Sequence, residues 1–328
     1  MTYLYYNGII IKVQEFFNGG FMYTLKEYET SSGIKYVHAQ NVPQISVFKT
    51  FDCGQCFRFD PVSKFGHKYE FGGVAFGKYV VFAQDSDTEI YVYGASLDDF
   101  EKIWAPFLAL DENYDLINEQ IIKTVDSEHA RLATDYSRGI RILRQEPWEA
   151  LCSFIISQNN NIPRIKKIIA EMSKKYGDVV EFDGQSYNSF PTAKSLFSAG
   201  EAEIFALKTG FRAKYIHDAS SKVLSAEISL DKIKELSFDD SLKVLLTIKG
   251  VGPKVASCAL LFGFGKTEAF PIDVWIKRSL DLHFGGKLDV SALGKSAGIF
   301  QQYLFYYERY NTSLPLEGKG DHPVVDEV

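Results

Sequence analysis

The sequence is poor in cysteine and has no long apolar run. Four Cys among 328 residues exclude a disulfide-dense secreted scaffold and indicate a reducing compartment. No stretch approaches the roughly 18–20 apolar residues of a membrane-spanning helix. The N-terminus has neither the basic region nor the small-residue cleavage site of a signal peptide. These absences predict an intracellular protein of the cytoplasm or nucleoid, with no membrane partner.

An excess of positive charge is also missing. Lys and Arg total 36 against 42 Asp and Glu, a net charge of −6, although residues 140–284 hold 20 basic and 17 acidic residues. A local patch sets the electrostatic footprint of a protein, so this balance neither requires nor excludes a nucleic-acid partner. The content of 46% hydrophobic and 15% aromatic residues excludes a disordered chain.

The hydrophobic pattern predicts an α+β protein. In the first hundred residues, β-branched and aromatic segments alternate with turn residues, which predicts strands at 8–13, 69–77, 78–84 and 89–95. From about Leu97 the period becomes helical, and Ile165, Ile168, Ile169 and Met172 mark one amphipathic helix. Further helices are predicted near 146–157, 212–225, 239–248, 253–264, 273–284 and 294–310. We expect an antiparallel sheet domain over 1–105, a helical region over 106–311 and a flexible tail over 312–328.

The segment 239–264 predicts a helical hairpin. Its loop is Lys249-Gly250-Val251-Gly252, and Pro253 opens the second helix. Two glycines one residue apart permit a tight turn and a close backbone approach, and proline suits the first helical position. The loop amides and the helix N-terminus would form an anion site that suits a DNA phosphate. The same pattern also fits a plain helical hairpin.

Two residues near this hairpin could carry chemistry. Lys254 lies in the first turn of the second helix, and a lysine amine is a nucleophile suited to Schiff-base formation. Asp273 follows Pro271 and Ile272 and is a natural N-cap for the next helix. Taken singly, the two also fit a solvated lysine and an ordinary cap.

The order of the motifs resembles the helix-hairpin-helix (HhH-GPD) DNA glycosylase superfamily, and within it the 8-oxoguanine DNA glycosylase/AP lyases. Gly-Val-Gly-Pro-Lys is followed by Pro-Ile-Asp-Val, with Asp273 19 positions after Lys254. Four further segments are similar to family motifs, at 52–58, 157–164, 210–215 and 301–305. The resemblance implies an α+β fold in which an N-terminal antiparallel (TBP-like) sheet packs on a mainly helical HhH-GPD region. Residues 1 to about 40 match no motif with a role.

The resemblance also implies a reaction. Lys254 would attack the sugar C1′ of the damaged nucleotide, and β-elimination would follow from the Schiff base. Asp273 would stabilise the positive charge on the sugar. The partner would be double-stranded DNA that contains oxidised guanine, preferably opposite cytosine. The protein would act as a monomer and need no organic cofactor, with a monovalent cation at the hairpin carbonyls near Lys249 to Val251.

The resemblance further implies a pocket for the flipped base. The carbonyl of Gly54 would accept the N7 proton that distinguishes 8-oxoguanine from guanine. Cys258 and Phe305 would sandwich the base, Gln301 would bind its pairing edge, and Pro271 would complete the pocket.

A second group of residues would contact the rest of the duplex. Asn159 would fill the vacated stack, Phe211 would wedge beside it, and Arg164 and Arg212 would read the orphaned base. Trp275 stands where the family usually carries a His near the phosphate. The backbone contacts would come from Lys249, Gly250, Gly252 and Trp275.

Other functions fit the sequence less well. Adenine-mismatch and pyrimidine-lesion relatives carry a four-Cys iron–sulfur segment near the C-terminus, but no Cys follows Cys258 here. Alkylated-base glycosylases normally lack the lysine. Cys53 and Cys56 have no second pair to complete a metal site, so packing is favoured and no metal site is predicted. A glycosylase for another lesion and an inactive DNA-binding module remain as alternatives.

Overall fold

The computed structural model describes residues 2–6 and 9–311, so the predicted tail over 312–328 lies outside the described residues. Eight strands form one antiparallel sheet with the order β1-β2-β3-β4-β8-β7-β6-β5, which confirms the predicted N-terminal sheet. The strands are β1 (Thr2–Tyr6), β2 (Ile9–Asn18), β3 (Phe21–Glu29), β4 (Lys35–Gln40), β5 (Phe59–Pro61), β6 (Tyr69–Ala75), β7 (Lys78–Gln84) and β8 (Glu89–Tyr93).

The sheet buries one face under short helices. Alternate residues of β3, Tyr23 and Leu25 among them, point into the core, as period-2 alternation requires. On that face lie α1 (Val47–Asp52), α2 (Leu97–Asp99) and α3 (Ala105–Phe107), with the π-helical Phe100–Trp104 between the last two. Buried aromatic rings, including Phe51, Phe82 and Trp104, fill the space between sheet and helices.

The remainder of the chain is mainly helical, as predicted. Each predicted helix is present, with bounds within a few residues. The helices are α4 (Tyr114–Val125), α5 (Glu128–Tyr136), α6 (Pro147–Ser157), α7 (Ile162–Tyr176), α8 (Ala193–Ile204), α9 (Ala213–Leu224), α10 (Leu230–Glu235), α11 (Phe238–Leu246), α12 (Pro253–Phe264), α13 (Val274–His283) and α14 (Ala297–Asn311).

Local sequence signals account for several helix starts. Asn161 caps α7 by accepting the Arg164 amide, and the predicted apolar stripe of α7 is buried. Asp273 caps α13 by accepting the Ile276 amide, as predicted. Proline opens α6 and α12, where its missing N–H costs nothing.

Two features of the fold were not predicted. A hairpin of β9 (Val179–Phe182) and β10 (Gln185–Asn188) interrupts the helical region. Its strands are too short to be stable alone, but the ring of Tyr187 stacks on Tyr79 of the large sheet at 3.8 Å between centroids. Within the first forty residues only a strand at 8–13 was predicted, which corresponds to β2, and the structure adds β1, β3 and β4. In the described residues, no helix is long and apolar enough to span a bilayer.

An ion pair joins the sheet domain to the helical region. Arg58 Nη1 lies 3.3 Å from Glu149 Oε2 on α6, and Arg58 also donates to the Asn188 carbonyl. Burial raises the pKa of the Glu149 carboxyl to about 7, against the opposing charge of Arg58. Because the folded protein holds this proton more tightly than the unfolded chain, stability is lost as pH rises through about 7.

We therefore expect Glu149→Gln to change how stability depends on pH. The wild type should lose roughly 2–3 kcal/mol relative to the variant between pH 5.5 and 8.5, measured by urea unfolding. Comparison with the variant removes the contribution of other titrating groups. If the difference in the free energy of unfolding between wild type and variant stays constant over this pH range, the expectation is contradicted.

Candidate active site

A single cleft of about 760 Å³ collects most of the predicted site residues. It lies where α12 begins, between the loop after α1, the loop after α6, and the helices α13 and α14. Arg164, Arg212, Lys249 and Gly250 are not among its lining residues. The predicted residues that line it are Gly54, Asn159, Phe211, Gly252, Lys254, Cys258, Pro271, Asp273, Trp275, Gln301 and Phe305.

Lys254 and Cys258 share one face of α12, one helical turn apart. The Lys254 side chain is half-buried, neighbours the Cys258 thiol and lies 5.8 Å from the ring centroid of Phe154. Burial raises the pKa of the Cys258 thiol to about 11, although the neighbouring Lys254 opposes the shift. The thiol is therefore neutral at physiological pH and is a poor nucleophile.

Asp273 supplies the negative charge of the cleft. Its Oδ1 accepts the Ile276 amide at 2.9 Å, which fixes the carboxylate at the start of α13. Burial raises the pKa of Asp273, while the Ile276 amide and the charge of Lys254 oppose the rise. A carboxylate held by a helix cap cannot turn away from the cleft, so it is preorganised to stabilise a nearby cation.

One end of the cleft suits a planar polar ligand. Gly54 has a φ of +78°, and a side chain built there would extend towards the ring of Phe305. Gln301 and Phe305 share one face of α14. The Oε1 atom of Gln301 is buried with no hydrogen-bond partner among the described residues. A buried acceptor without a donor is costly, so this oxygen indicates that a ligand supplies the missing donor.

The loop after α6 presents Asn159 to solvent. This residue has a left-handed φ of +47° and an exposed side chain. Phe211 is 47% exposed and lies under the Arg212 guanidinium, with 4.5 Å from the guanidinium carbon to the ring centroid. Arg164 is also exposed. Asn159, Phe211 and Arg164 are thus free to contact a second molecule, as the prediction of DNA contacts requires.

Arg212 is held differently from Arg164, and its predicted contact with the orphaned base stays a prediction. Its side chain is buried, and its guanidinium donates to the carbonyls of Gln158 at 2.8 Å, Asn159 at 2.9 Å and Thr209 at 3.1 Å. Four of the five guanidinium N–H groups are used in bonds to the protein backbone. Arg212 therefore holds the loop that presents Asn159.

The hairpin loop between α11 and α12 reaches the surface. The Lys249 amide donates to Asp218 Oδ2 at 2.8 Å, which anchors the loop, and the Lys249 side chain is exposed. Gly250 has a φ of +73°, and a Cβ there would overlap the ring of Tyr215. At Gly252 an added Cβ would meet none of the described atoms within 4 Å. The protein itself thus requires glycine at 250 but not at 252, where open space admits another molecule.

Residues on both sides of Asp273 also face the cleft or the solvent. Pro271 is buried and Trp275 is half-buried in the cleft wall. Ile272 and Val274 are 50% and 70% exposed, and sequence reasoning missed them as surface residues. Their exposure beside a cleft indicates contact with a large ligand.

Other lining residues were also missed because their types suggest only a core. Phe154 on α6 and Phe262 on α12 stack at 5.2 Å between centroids and form the floor beneath Lys254. Gln302 and Arg309 on α14 line the cleft beside the loop after α1. The one available signal was the Gln301-Gln302 pair in an otherwise apolar helical segment.

A separate cluster contains ligand types that metals accept. Glu308 Oε1 lies 2.8 Å from His129 Nε2 and 3.8 Å from His283 Nε2, and the two imidazole rings stack at 3.6 Å, 9° from parallel. Parallel rings direct their nitrogen atoms side by side instead of towards one point, so this arrangement suits a histidine–carboxylate contact among α5, α13 and α14 better than a chelate. The absence of a metal site stays a prediction.

Two family models match consecutive parts of the chain. The first, described as 8-oxoguanine DNA glycosylase, N-terminal domain, matches residues 39–151. The second, described as HhH-GPD superfamily base excision DNA repair protein, matches residues 152–291. The cleft contains residues from both matched segments.

Several known proteins are similar over most of their length. The probable N-glycosylase/DNA lyase of Methanothermobacter thermautotrophicus is 31% identical over 58% of this chain and 70% of that protein. The N-glycosylase/DNA lyase of Saccharomyces cerevisiae is 31% identical over 73% of this chain and 68% of that protein. The Clostridium acetobutylicum 8-oxoguanine glycosylase/lyase, solved with DNA containing cytosine opposite 8-oxoG, is 32% identical, with a TM-score of 0.78 over 92% of this chain and 98% of that chain.

The two hairpin glycines should respond differently to alanine. Gly250→Ala should lower the free energy of unfolding by about 2–4 kcal/mol, because a left-handed φ and an overlap with Tyr215 both oppose it. Gly252→Ala should change it by less than about 0.5 kcal/mol but weaken DNA binding about tenfold, because the added methyl group keeps a phosphate away from the loop amides and so costs about one charge-assisted hydrogen bond. Chemical unfolding and fluorescence anisotropy measure the two effects. Equal stability of the two variants would contradict the assignment.

A second matched pair of variants tests whether Arg212 supports the Asn159 loop or contacts DNA. Arg212→Met should lower the free energy of unfolding by about 2 kcal/mol, since buried carbonyls lose their donor. Arg164→Met should leave stability within about 0.5 kcal/mol, weaken DNA binding and reduce the salt slope of binding by about one. Should Arg212→Met instead keep full stability and match the DNA-binding loss of Arg164→Met, Arg212 is a DNA contact.

Proposed function

Because the chain belongs to the 8-oxoguanine DNA glycosylase/lyases of the helix-hairpin-helix (HhH-GPD) superfamily, we propose that it removes 8-oxoguanine from duplex DNA, preferably opposite cytosine. The chain is a DNA glycosylase and lyase. The proposal adds the lesion, the opposite base and the residues that perform each step. One observation carries it, namely that Lys254, Asp273 and the unpartnered Gln301 oxygen line the same cleft.

In the proposed reaction, Lys254 is the nucleophile. The lone pair of its amine attacks C1′ of the damaged nucleotide as the N-glycosidic bond breaks, and the base leaves with the bonding electron pair and takes up a proton. Loss of the amine proton and opening of the sugar give a Schiff base. Removal of a C2′ proton then expels the 3′ phosphate by β-elimination. The covalent amine divides one difficult step into two.

Asp273 serves the same reaction by its fixed charge. The carboxylate is held at the start of α13, where it stabilises the cationic sugar during bond breakage. Because burial raises its pKa, the carboxyl also exchanges protons more readily at moderately acidic pH than an exposed aspartate does. It therefore suits the proton transfers that follow the attack.

The end of the cleft near Gln301 receives the flipped base in this proposal. Phe305 and Cys258 contact the two faces of the base, and Pro271 borders it. The Gln301 oxygen, buried and unpaired, accepts from the N–H groups of the guanine pairing edge. The Gly54 carbonyl accepts the N7 proton of the lesion. Guanine would offer this carbonyl another acceptor, which the pocket rejects.

The exposed residues on the rim hold the duplex open. Flipping a base costs a few kcal/mol, and Asn159 fills the gap while Phe211 wedges beside it. Arg164 contacts the orphaned base, and Arg212 acts indirectly by holding the Asn159 loop. The Lys249 to Gly252 loop and the N-terminus of α12 bind the backbone phosphate, with Trp275 packed nearby.

The proposal calls for no organic cofactor, since an amine and a carboxylate perform each step. A monovalent cation at the carbonyls from Lys249 to Val251 would add positive charge where the phosphate binds, and the enzyme would act as a monomer. Comparison of DNA affinity in potassium and in tetramethylammonium chloride at equal ionic strength tests the cation, and sedimentation tests the monomer.

Borohydride trapping tests the proposed reaction directly. A duplex with one 8-oxoguanine opposite cytosine should give a covalent protein–DNA adduct, and the matched guanine duplex should give none. Lys254→Gln should abolish both trapping and strand cleavage while it retains lesion binding, because the amine is the only group removed. Denaturing gels and anisotropy report these results.

Lys102→Gln is the matched control, since Lys102 is exposed in the sheet domain and pairs with Asp98. It should trap as the wild type does. Full cleavage by Lys254→Gln would refute the nucleophile. Trapping on another lesion but not on 8-oxoguanine would indicate a different substrate, and binding without base release would indicate an inactive module.

A further inference from the structure

The loop after α1 is held by side chains that bind its backbone carbonyls. Arg309 Nη1 donates to the Asp52 carbonyl at 2.9 Å, and Gln302 Nε2 donates to the Cys53 carbonyl at 2.8 Å. Gln145 Nε2 donates to the Gln55 carbonyl at 2.7 Å. Among the described residues, none donates to the carbonyl of Gly54. Gly54, whose carbonyl lies between these two anchored carbonyls, is also a residue that lines the cleft.

The side chain of Gln55 adds a further constraint from inside the loop. Its Nε2 donates to the carbonyls of Thr50 and Arg141, both at 2.8 Å, and its Oε1 accepts the Leu143 amide at 2.8 Å. The peptide before Gly54 and the residue after it, Gln55, are thus both tied to the rest of the protein. Such anchoring matters at a glycine, because Gly has no Cβ to restrict its own φ and ψ.

Gln302 on α14 makes the contact with the peptide directly before Gly54. It is buried and is separated from Cys53 by 249 positions in the chain. On α14 it follows Gln301 directly and precedes Phe305 by three residues. One rigid helix therefore places the Gln301 oxygen, the Phe305 ring and the amide that holds the peptide before Gly54.

From this geometry we infer that Gln302 is a positioning residue for lesion specificity. By holding the Cys53 carbonyl it directs the Gly54 carbonyl into the cleft, where it accepts the N7 proton of the lesion. This inference rests on the proposed function, because it assumes that 8-oxoguanine enters the cleft. Gln302 acts through Gly54 and does not touch the reacting atoms.

The consequence is specific to the N7 proton. Without the Gln302 amide, the peptide before Gly54 can rotate, and the Gly54 carbonyl no longer keeps one direction. Ligands that offer a proton at N7 lose a hydrogen bond, whereas ligands with a bare N7 lose nothing. A substrate with no base at all, such as a preformed abasic site, does not sense the carbonyl.

The test compares Gln302→Met with the wild type on three duplexes under single-turnover conditions. They contain 8-oxoguanine, 8-aminoguanine, which is similar in size but has a bare N7, or a preformed abasic site. We expect the excision rate of 8-oxoguanine to fall about tenfold relative to the rate at the abasic site. The preference for 8-oxoguanine over 8-aminoguanine should fall by the same factor.

Gln302→Glu is the second variant, because it keeps the size of glutamine but cannot donate when ionised. It should lower the excision rate of 8-oxoguanine, relative to the rate at the abasic site, by the same factor. Gln120→Met is the matched control: Gln120 is exposed on α4 and accepts from Ser296 Oγ at 3.2 Å. An equal loss on all three duplexes, or an unchanged preference, overturns the inference while the proposed function stands. Failure of the wild type to excise 8-oxoguanine overturns both.

Discussion

The packing of α12 against α6 is the contact on which the site depends. Almost every residue of α12 after its first turn is buried, and the rings of Phe154 and Phe262 stack between the two helices. The backbone bond from the Gln145 amide to the Phe262 carbonyl ties the entry of α6 to the same helix. Because α12 cannot shift, Lys254 in its first turn keeps one position relative to Asp273.

The rest of the cleft is assembled from segments that are distant in the chain. Gly54 lies within the sheet domain, between α1 and β5, the Asn159 loop follows α6, and Gln301 lies near the C-terminal end of the described residues. Side chains that bind backbone carbonyls, Gln302 and Arg212 above all, hold these segments in register. This mode of support leaves the cleft-facing atoms, such as the Gln301 oxygen, free for a ligand.

The buried Arg58–Glu149 pair links two parts of the protein but adds little to its stability. Glu149 joins the sheet domain to α6 through Arg58, but burial keeps its pKa near 7. A group that is half ionised at physiological pH contributes little net stability. What it contributes is a fixed relation between the strand segment after Gly54 and the helix that supports Lys254.

Much of the site could be predicted because its signals are local. The glycine loop with its following proline, the Lys254 position and the Asp273 cap depend on residues a few positions apart, so the sequence by itself determined these elements and the α+β order. Tertiary structure alone decided the hydrogen-bond partners of Arg212 and Gln302, the orphaned oxygen of Gln301 and the β9–β10 hairpin. Each of these depends on partners tens to hundreds of residues away, and hydrogen-bond direction, burial and ring stacking arise only when the chain has brought such partners together.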